Sequence, residues 1–334
     1  MVLSENSTVT ITAGSMTTVV MDTAGAFAYF THYLDKSGKI TQLNLATSTT
    51  NVLTTSTARP DCGVIDRNDA FMYIGFDTTP GKIEKINLTT FTSAGTIVPS
   101  IARVRGAVID NQSSFAYFSS FSTGAVSKIN LATFTESGTC GIATTINKAI
   151  AIDSTSSNLY LASWSGNNFT RIQLSTFTVT GTATTLYTAW NMSIDRDNGT
   201  CFYGDNASVA RIQAMNLPTL TSAGTIVTTQ TTPSLSHGFA IDNSAFYVNR
   251  YATTSTAFCI LEQINYNGGT AISASSITLS IHNNSKGAIE PSGTYLYLGG
   301  WKQSAICKVQ ISGAVPVVTA MATGYMTTNT KFWG

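Results

Sequence analysis

Charge is scarce in this sequence. Asp, Glu, Lys and Arg make up 10% of its 334 residues, against about 25% in an average soluble domain. The formal net charge is +1, with no basic run or acidic tail. Such a chain carries no electrostatic footprint for nucleic acid or an anionic membrane surface. No stretch approaches the roughly 18 uninterrupted apolar residues of a membrane span, so no membrane insertion is expected. The opening residues, Met1-Val2-Leu3-Ser4-Glu5-Asn6-Ser7-Thr8, lack a basic segment followed by an apolar one and do not read as a secretory signal. A virion protein assembled inside a host cell would need none. The five cysteines (Cys62, Cys140, Cys201, Cys259 and Cys307) are odd in number and widely spaced, with no CxxC. That argues against a disulfide framework or a zinc site and leaves buried thiols. No nucleophile elbow, P-loop or Gly-rich dinucleotide fingerprint occurs, and His32, His237 and His282 do not fall at metal-ligand spacing. The expectation is a protein without enzymatic activity and without a cofactor.

What is present is a repeat. Hydrophobic residues reach 43%, too many for a disordered chain. An acid following small or apolar residues recurs as Asp22, Asp66, Asp110, Asp153, Asp195, Asp242 and Glu290, at spacings of 44, 44, 43, 42, 47 and 48 residues. A tyrosine follows each acid: Tyr29, Tyr73, Tyr117, Tyr160, Tyr203, Tyr247 and Tyr297. Next comes an alternating run such as Lys85-Ile86-Asn87-Leu88, then a turn and a Thr-rich run such as Thr92 to Val98. Each unit therefore reads as four short strands. The first, A, is small and apolar throughout, as in Gly106-Ala107-Val108-Ile109. B and C alternate with period two, and D is the most polar. Burial that falls from A to D fits small sheets arranged radially, with A innermost. One such sheet cannot cover both its faces, and packing against neighbours in a closed ring solves that. The expected fold is all-β: a seven-bladed β-propeller of four-stranded antiparallel blades. It spans residues 15–322, between an N-terminal strand or arm (1–14) that is a candidate to close the last blade and a C-terminal tail (323–334) ending in Lys331-Phe332-Trp333-Gly334.

Strand B carries a further resemblance. Ala28-Tyr29-Phe30-Thr31, Ala116-Tyr117-Phe118-Ser119, Leu159-Tyr160-Leu161-Ala162 and Phe246-Tyr247-Val248-Asn249 resemble the YVTN-type propeller repeats of microbial surface-layer proteins. The pattern departs from that family in the A–B turn, where only Glu290-Pro291-Ser292-Gly293 approaches its Pro-Asp-Gly. The Gly-His and Trp-Asp signatures of WD40 repeats are absent. The resemblance implies a propeller and a tendency toward surface display, and no particular ligand.

Three constellations are candidate sites. The recurrent acids are each followed by turn residues, which points to carboxylates bonded to their own A–B turn; seven like charges in a narrow ring would repel and be costly to desolvate. Five residues before each acid stand Thr17, Asp61, Arg105, Lys148, Trp190, His237 and Ser285. These differ in every unit and would ring one mouth of the channel. Asp61, Arg105, Lys148, Trp190 and His237 are the candidate ligand-binding set, with solvated loop residues as the alternative. Nine to eleven residues after the acid come Tyr33, Phe76, Phe121, Trp164, Tyr251 and Trp301, with Asp205 near this place in the fifth unit. These aromatics form either a stacking face for sugars or proteins or packing between blades.

The expected function is a non-enzymatic binding or structural module on a virion or on an extracellular or cell surface, of the spike, tail or decoration type. Its expected partners are assembly proteins and a host or cell-surface glycan. A soluble glycan-binding lectin is one alternative. A lactonase- or lyase-type propeller enzyme, using His237, His282 and Glu290, is another.

Overall fold

The structure is a computed structural model that describes residues 2–11, 16–33, 38–142, 147–186, 188–195, 199–205, 211–227, 234–240, 245–252, 258–267, 270–282, 284–300 and 304–312. The C-terminal tail lies outside them. The described residues form strands with no helix. In chain order, β1 (Val2–Thr10) precedes a first quartet of β2 (Met16–Met21), β3 (Phe27–His32), β4 (Lys39–Asn44) and β5 (Thr50–Thr54). The second quartet is β6 (Pro60–Ile65), β7 (Phe71–Phe76), β8 (Lys82–Asn87) and β9 (Thr92–Ile97). The third is β10 (Val104–Ile109), β11 (Phe115–Ser120), β12 (Ala125–Asn130) and β13 (Thr135–Gly141). The fourth is β14 (Asn147–Ile152), β15 (Asn158–Ser163), β16 (Asn168–Gln173) and β17 (Thr178–Thr184). The fifth is β18 (Ala189–Asp195), β19 (Thr200–Asp205), β20 (Arg211–Asn216) and β21 (Thr221–Val227). The sixth is β22 (Ser234–Ala240), β23 (Ala245–Ala252), β24 (Phe258–Asn267) and β25 (Thr270–His282). Last come β26 (Asn284–Ile289), β27 (Tyr295–Gly300) and β28 (Ala305–Ser312).

Each quartet is a four-stranded antiparallel sheet in sequence order, and a seventh sheet has the order β1-β28-β27-β26. There β1 takes the outer place, which the fourth strand fills elsewhere, and pairs antiparallel along β28 from Val2↔Ser312 to Thr10↔Ala305. The first strands are neighbours in the order β2, β6, β10, β14, β18, β22, β26 and back to β2. This is a β-propeller with four-stranded antiparallel blades. Burial follows the radial gradient the sequence implies: β2 and β6 are buried at every residue, while β5 and β9 are almost wholly exposed.

The same bonds stitch successive blades together. The carboxylate of Asp69 accepts from the backbone N–H and hydroxyl of Thr23 (2.8 and 2.5 Å) across the blade boundary. One blade on, the Ser113 hydroxyl accepts from Arg67 N–H (2.9 Å), and then Ser156 accepts from Asn111 N–H (2.9 Å). All three acceptors sit at left-handed φ of 53 to 55°. Tyrosines of the second strands pack on aromatics at the third turn of the next blade: Tyr29 on Phe91, Tyr73 on Phe134 and Tyr117 on Phe177, at 5.8 to 5.9 Å. The fifth blade breaks the pattern. Ser193 pairs Phe202, whereas Val64 pairs Tyr73 and Val108 pairs Tyr117. Phe202 therefore holds the recurrent tyrosine's place, and Tyr203 falls on the opposite face of the pleat. Linkers are pinned by carboxylates. Ser56 donates its N–H and hydroxyl to buried Glu84 (3.1 and 2.8 Å), and Ser100 donates both to Glu136 (2.9 Å each).

Candidate functional site

The recurrent acids are turn residues. Asp66 accepts N–H bonds from Ala70 and Phe71 (2.9 and 3.0 Å), Asp110 from Ser114 and Phe115 (2.8 and 3.0 Å), and Asp153 from Ser157 and Asn158 (2.8 and 3.0 Å). Asp22 makes the same two bonds to Ala26 and Phe27. Burial pushes its carboxyl up to about 6 against these bonds. The side chains of Asp195 and Asp242 lie outside the described residues. At this end of the blades a groove of about 650 Å³ runs past Asp66, Tyr73, Lys85 and Phe115. Its two charged groups are already engaged, Asp66 by its turn and Lys85 over the Phe71 ring at 3.9 Å.

The other end holds the divergent residues, and the register explains how. Pairing of β6 with β7 skips from Pro60↔Phe76 to Cys62↔Gly75, which leaves Asp61 as a β-bulge. Equivalent skips leave Thr17 in β2, Arg105 in β10, Lys148 in β14 and Trp190 in β18. A bulge puts two residues opposite one and re-aims a side chain out of the pleat. The repeat thus gives up ladder pairing at the one place where it varies most. His237 departs from this, because it pairs with Asn249 in unbroken register. Ser285 lies in the wider skip between Asn284 and Gly287. The side chains of Lys148, Trp190, His237 and Ser285 lie outside the described residues.

Asp61 and Arg105 come together. Arg105 Nε stands 3.5 Å from Asp61 Oδ2, with both side chains largely buried. The centre of the cluster is Asp77, a residue the sequence reading passed over. Its carboxylate is fully buried and accepts from Arg103 Nε (2.8 Å), Arg105 Nη2 (2.5 Å) and the Tyr33 hydroxyl (2.5 Å). Burial alone would raise its pKa, but these bonds outweigh it and hold the carboxyl well below the usual range. Arg105 also donates to the Tyr33 hydroxyl (2.7 Å) and lies 4.1 Å from the Phe121 ring centre. Phe121 meets Trp164 of the next blade at 5.7 Å. Four blades are linked in this way through Tyr33, Asp77, Arg105, Phe121 and Trp164.

The proposed aromatic face needs one correction. Phe76 is fully buried in the core with Met72, Ile74 and Tyr29. It stands ten residues after its acid, whereas Tyr33, Phe121 and Trp164 stand eleven after theirs. Because side chains alternate along a strand, one residue's difference turns Phe76 inward, and Asp77 takes the equivalent place. Offset eleven, applied strictly, would have found Asp77. Offset minus seven would have found Arg59 and Arg103, both at left-handed φ (62° and 53°). Tyr33, Phe121 and Trp164 are half-buried. Trp301 lies outside the described residues, as do the side chains of Tyr251 and Asp205.

No family model matches the chain, and no curated protein matches it. Solved structures do. A chain of a mitotic checkpoint complex structure superposes with a TM-score of 0.78 at 11% identity, over 93% of this chain and 92% of that one. The RRP9 WD40 repeats superpose with 0.77 at 11%, over 92% and 98%. Hydrazine synthase of Kuenenia stuttgartiensis superposes with 0.66 at 12%, over 82% and 84%. Identities this low show shared architecture alone, so what these comparisons and the strand topology establish together is a β-propeller of four-stranded antiparallel blades.

Proposed function

We propose that the seven sheets form one closed, seven-bladed propeller of the YVTN surface type. In this reading it is a non-enzymatic binding or structural module displayed on a virion or cell surface, with its bulged end as the binding face. One observation carries it. The bonds that build and join the first four blades recur at equivalent places, while five bulge residues at a single end are Thr17, Asp61, Arg105, Lys148 and Trp190. Scaffold positions repeat because packing repeats. Bulges gather beside functional sites because they re-aim side chains, so divergence there marks specialisation. Scarce charge and Thr/Ser-rich outer strands suit an exterior protein that meets protein partners.

The test is cryo-electron microscopy of the protein in its native source. A propeller seated in a particle, fibre or regular array, with its bulged end outward, supports the reading. A free cytosolic monomer overturns the display role. Turnover of a lactone or similar substrate that is lost in His237→Ala would overturn the non-enzymatic reading.

A further inference from the structure

We propose that the bulged end of the second and third blades takes a carboxylate-bearing sugar, an acidic unit of a glycan, with Arg59 as its principal anchor; this rests on the reading of that end as the binding face. The repeat itself supplies the comparison. Arg59 and Arg103 hold equivalent places, seven residues before their turn acids, both at left-handed φ. The carbonyl of each accepts the N–H of the equivalent loop residue, Asp77 for Arg59 (3.0 Å) and Phe121 for Arg103 (2.9 Å). Their side chains meet different partners. Arg103 reaches the carboxylate of Asp77, supplied by the preceding blade. Arg59 reaches the same place one blade earlier and finds Tyr33, its guanidinium 5.8 Å from the ring centre. Among the described residues no carboxylate pairs with it. A ligand carboxylate beside Tyr33 would give Arg59 what Asp77 gives Arg103, and the planar guanidinium fork matches that group.

The surroundings favour a sugar. At this end the carboxylates of Asp61 and Asp77 are buried, whereas Arg59 is exposed and the Arg103 side chain is 39% exposed. Among the described residues the surface charge here is therefore cationic and confined to a few groups, which suits one carboxylate more than a polyanion. The Tyr33 hydroxyl is committed to Asp77, so what Tyr33 offers is its half-buried ring. Phe121, already beneath the guanidinium groups of Arg103 and Arg105, and Trp164 continue a row of half-buried aromatic rings along the same end, which suits a ligand with an apolar C–H face such as a pyranose.

Isothermal titration of the full chain with a glucuronate-terminated disaccharide that carries a single carboxylate, its carboxyl-reduced glucose counterpart and a Glu-rich peptide tests this. Binding of the acidic saccharide, at least tenfold weaker for the reduced one and for Arg59→Ala, is the expected result. The melting temperature should be nearly unchanged in Arg59→Ala, because that side chain makes no hydrogen bond among the described residues, and Arg59→Lys should recover binding in part. Equal binding of both saccharides, unchanged in Arg59→Ala but lost in Trp164→Ala, overturns the acidic class and leaves the binding face standing. Binding of the peptide alone overturns the sugar. Binding of none overturns this inference, and the display reading is then judged by the microscopy alone.

Discussion

Tyr33 and Asp77 stand at the same position of successive repeats, 44 residues apart, and are joined by a hydrogen bond of 2.5 Å. The tyrosine of one blade thus donates to the acid that replaces tyrosine in the next. Through that acid the bond reaches Arg103 and Arg105 of the blade after.

Asp77→Ala should destabilise the fold by about 3–5 kcal/mol, the usual result of removing one partner from a buried ion pair. It leaves Arg105 buried with Asp61, 3.5 Å away, as its remaining carboxylate partner among the described residues. Tyr33→Phe keeps the ring but removes a hydroxyl that donates to Asp77 and accepts from Arg105, and should cost about 1.5–3 kcal/mol. Urea denaturation of both variants checks the order. Equal losses would mean that the hydroxyl bond from Tyr33 accounts for the whole effect and that the two arginine contacts to Asp77 add nothing.

The blade-to-blade acceptors form a graded series. Asp69→Ala removes charged bonds to Thr23 and should cost about 1.5–3 kcal/mol, whereas Ser113→Ala and Ser156→Ala each remove a neutral one and should cost about 1 kcal/mol. Thermal melts of the three variants read this directly.

Glycine tests the packing of inner strands. A Cβ on Gly75 would lie 2.5 Å from Val104 Cγ1 and 2.6 Å from Cys62 Sγ, while one on Gly141 meets nothing within 4 Å. Gly75→Ala should cost about 1–3 kcal/mol through overpacking. Gly141→Ala should be neutral to within about 0.5 kcal/mol, as expected of an open surface site.

Two carboxylates should make stability depend on pH with opposite signs. Burial raises Asp22 from 3.8 to about 6, against its bonds from Phe27 and Ala26 and with the help of nearby Asp69. Its contribution is complete below pH 3.8 and is lost as pH rises through 6. Asp77 is depressed, so its contribution holds above the ordinary carboxylate range and fails only in stronger acid. Asp22→Asn should therefore flatten the pH dependence of stability between about 4 and 6, and Asp77→Asn should flatten it only below that window. Guanidine titrations across pH, with each variant against the parent, separate the two.

The sequence by itself determined the blade. Strand A is apolar on both faces, B and C alternate, and D is Thr-rich. That gradient is satisfied by small sheets stacked radially, and the recurrent acids followed from turn chemistry, which is local. Which side chains meet was decided by tertiary structure. Phe76 and Asp77 are adjacent in sequence, and only the pleat shows that one enters the core while the other receives two arginines and a tyrosine from different blades. The bulges that single out Asp61 and Arg105 exist only in the register between strands, because an unpaired residue is defined by its partner strand. The pairing of β1 with β28 joins segments about 300 residues apart. Local pattern marks both as strands, but only the assembled ring makes them neighbours.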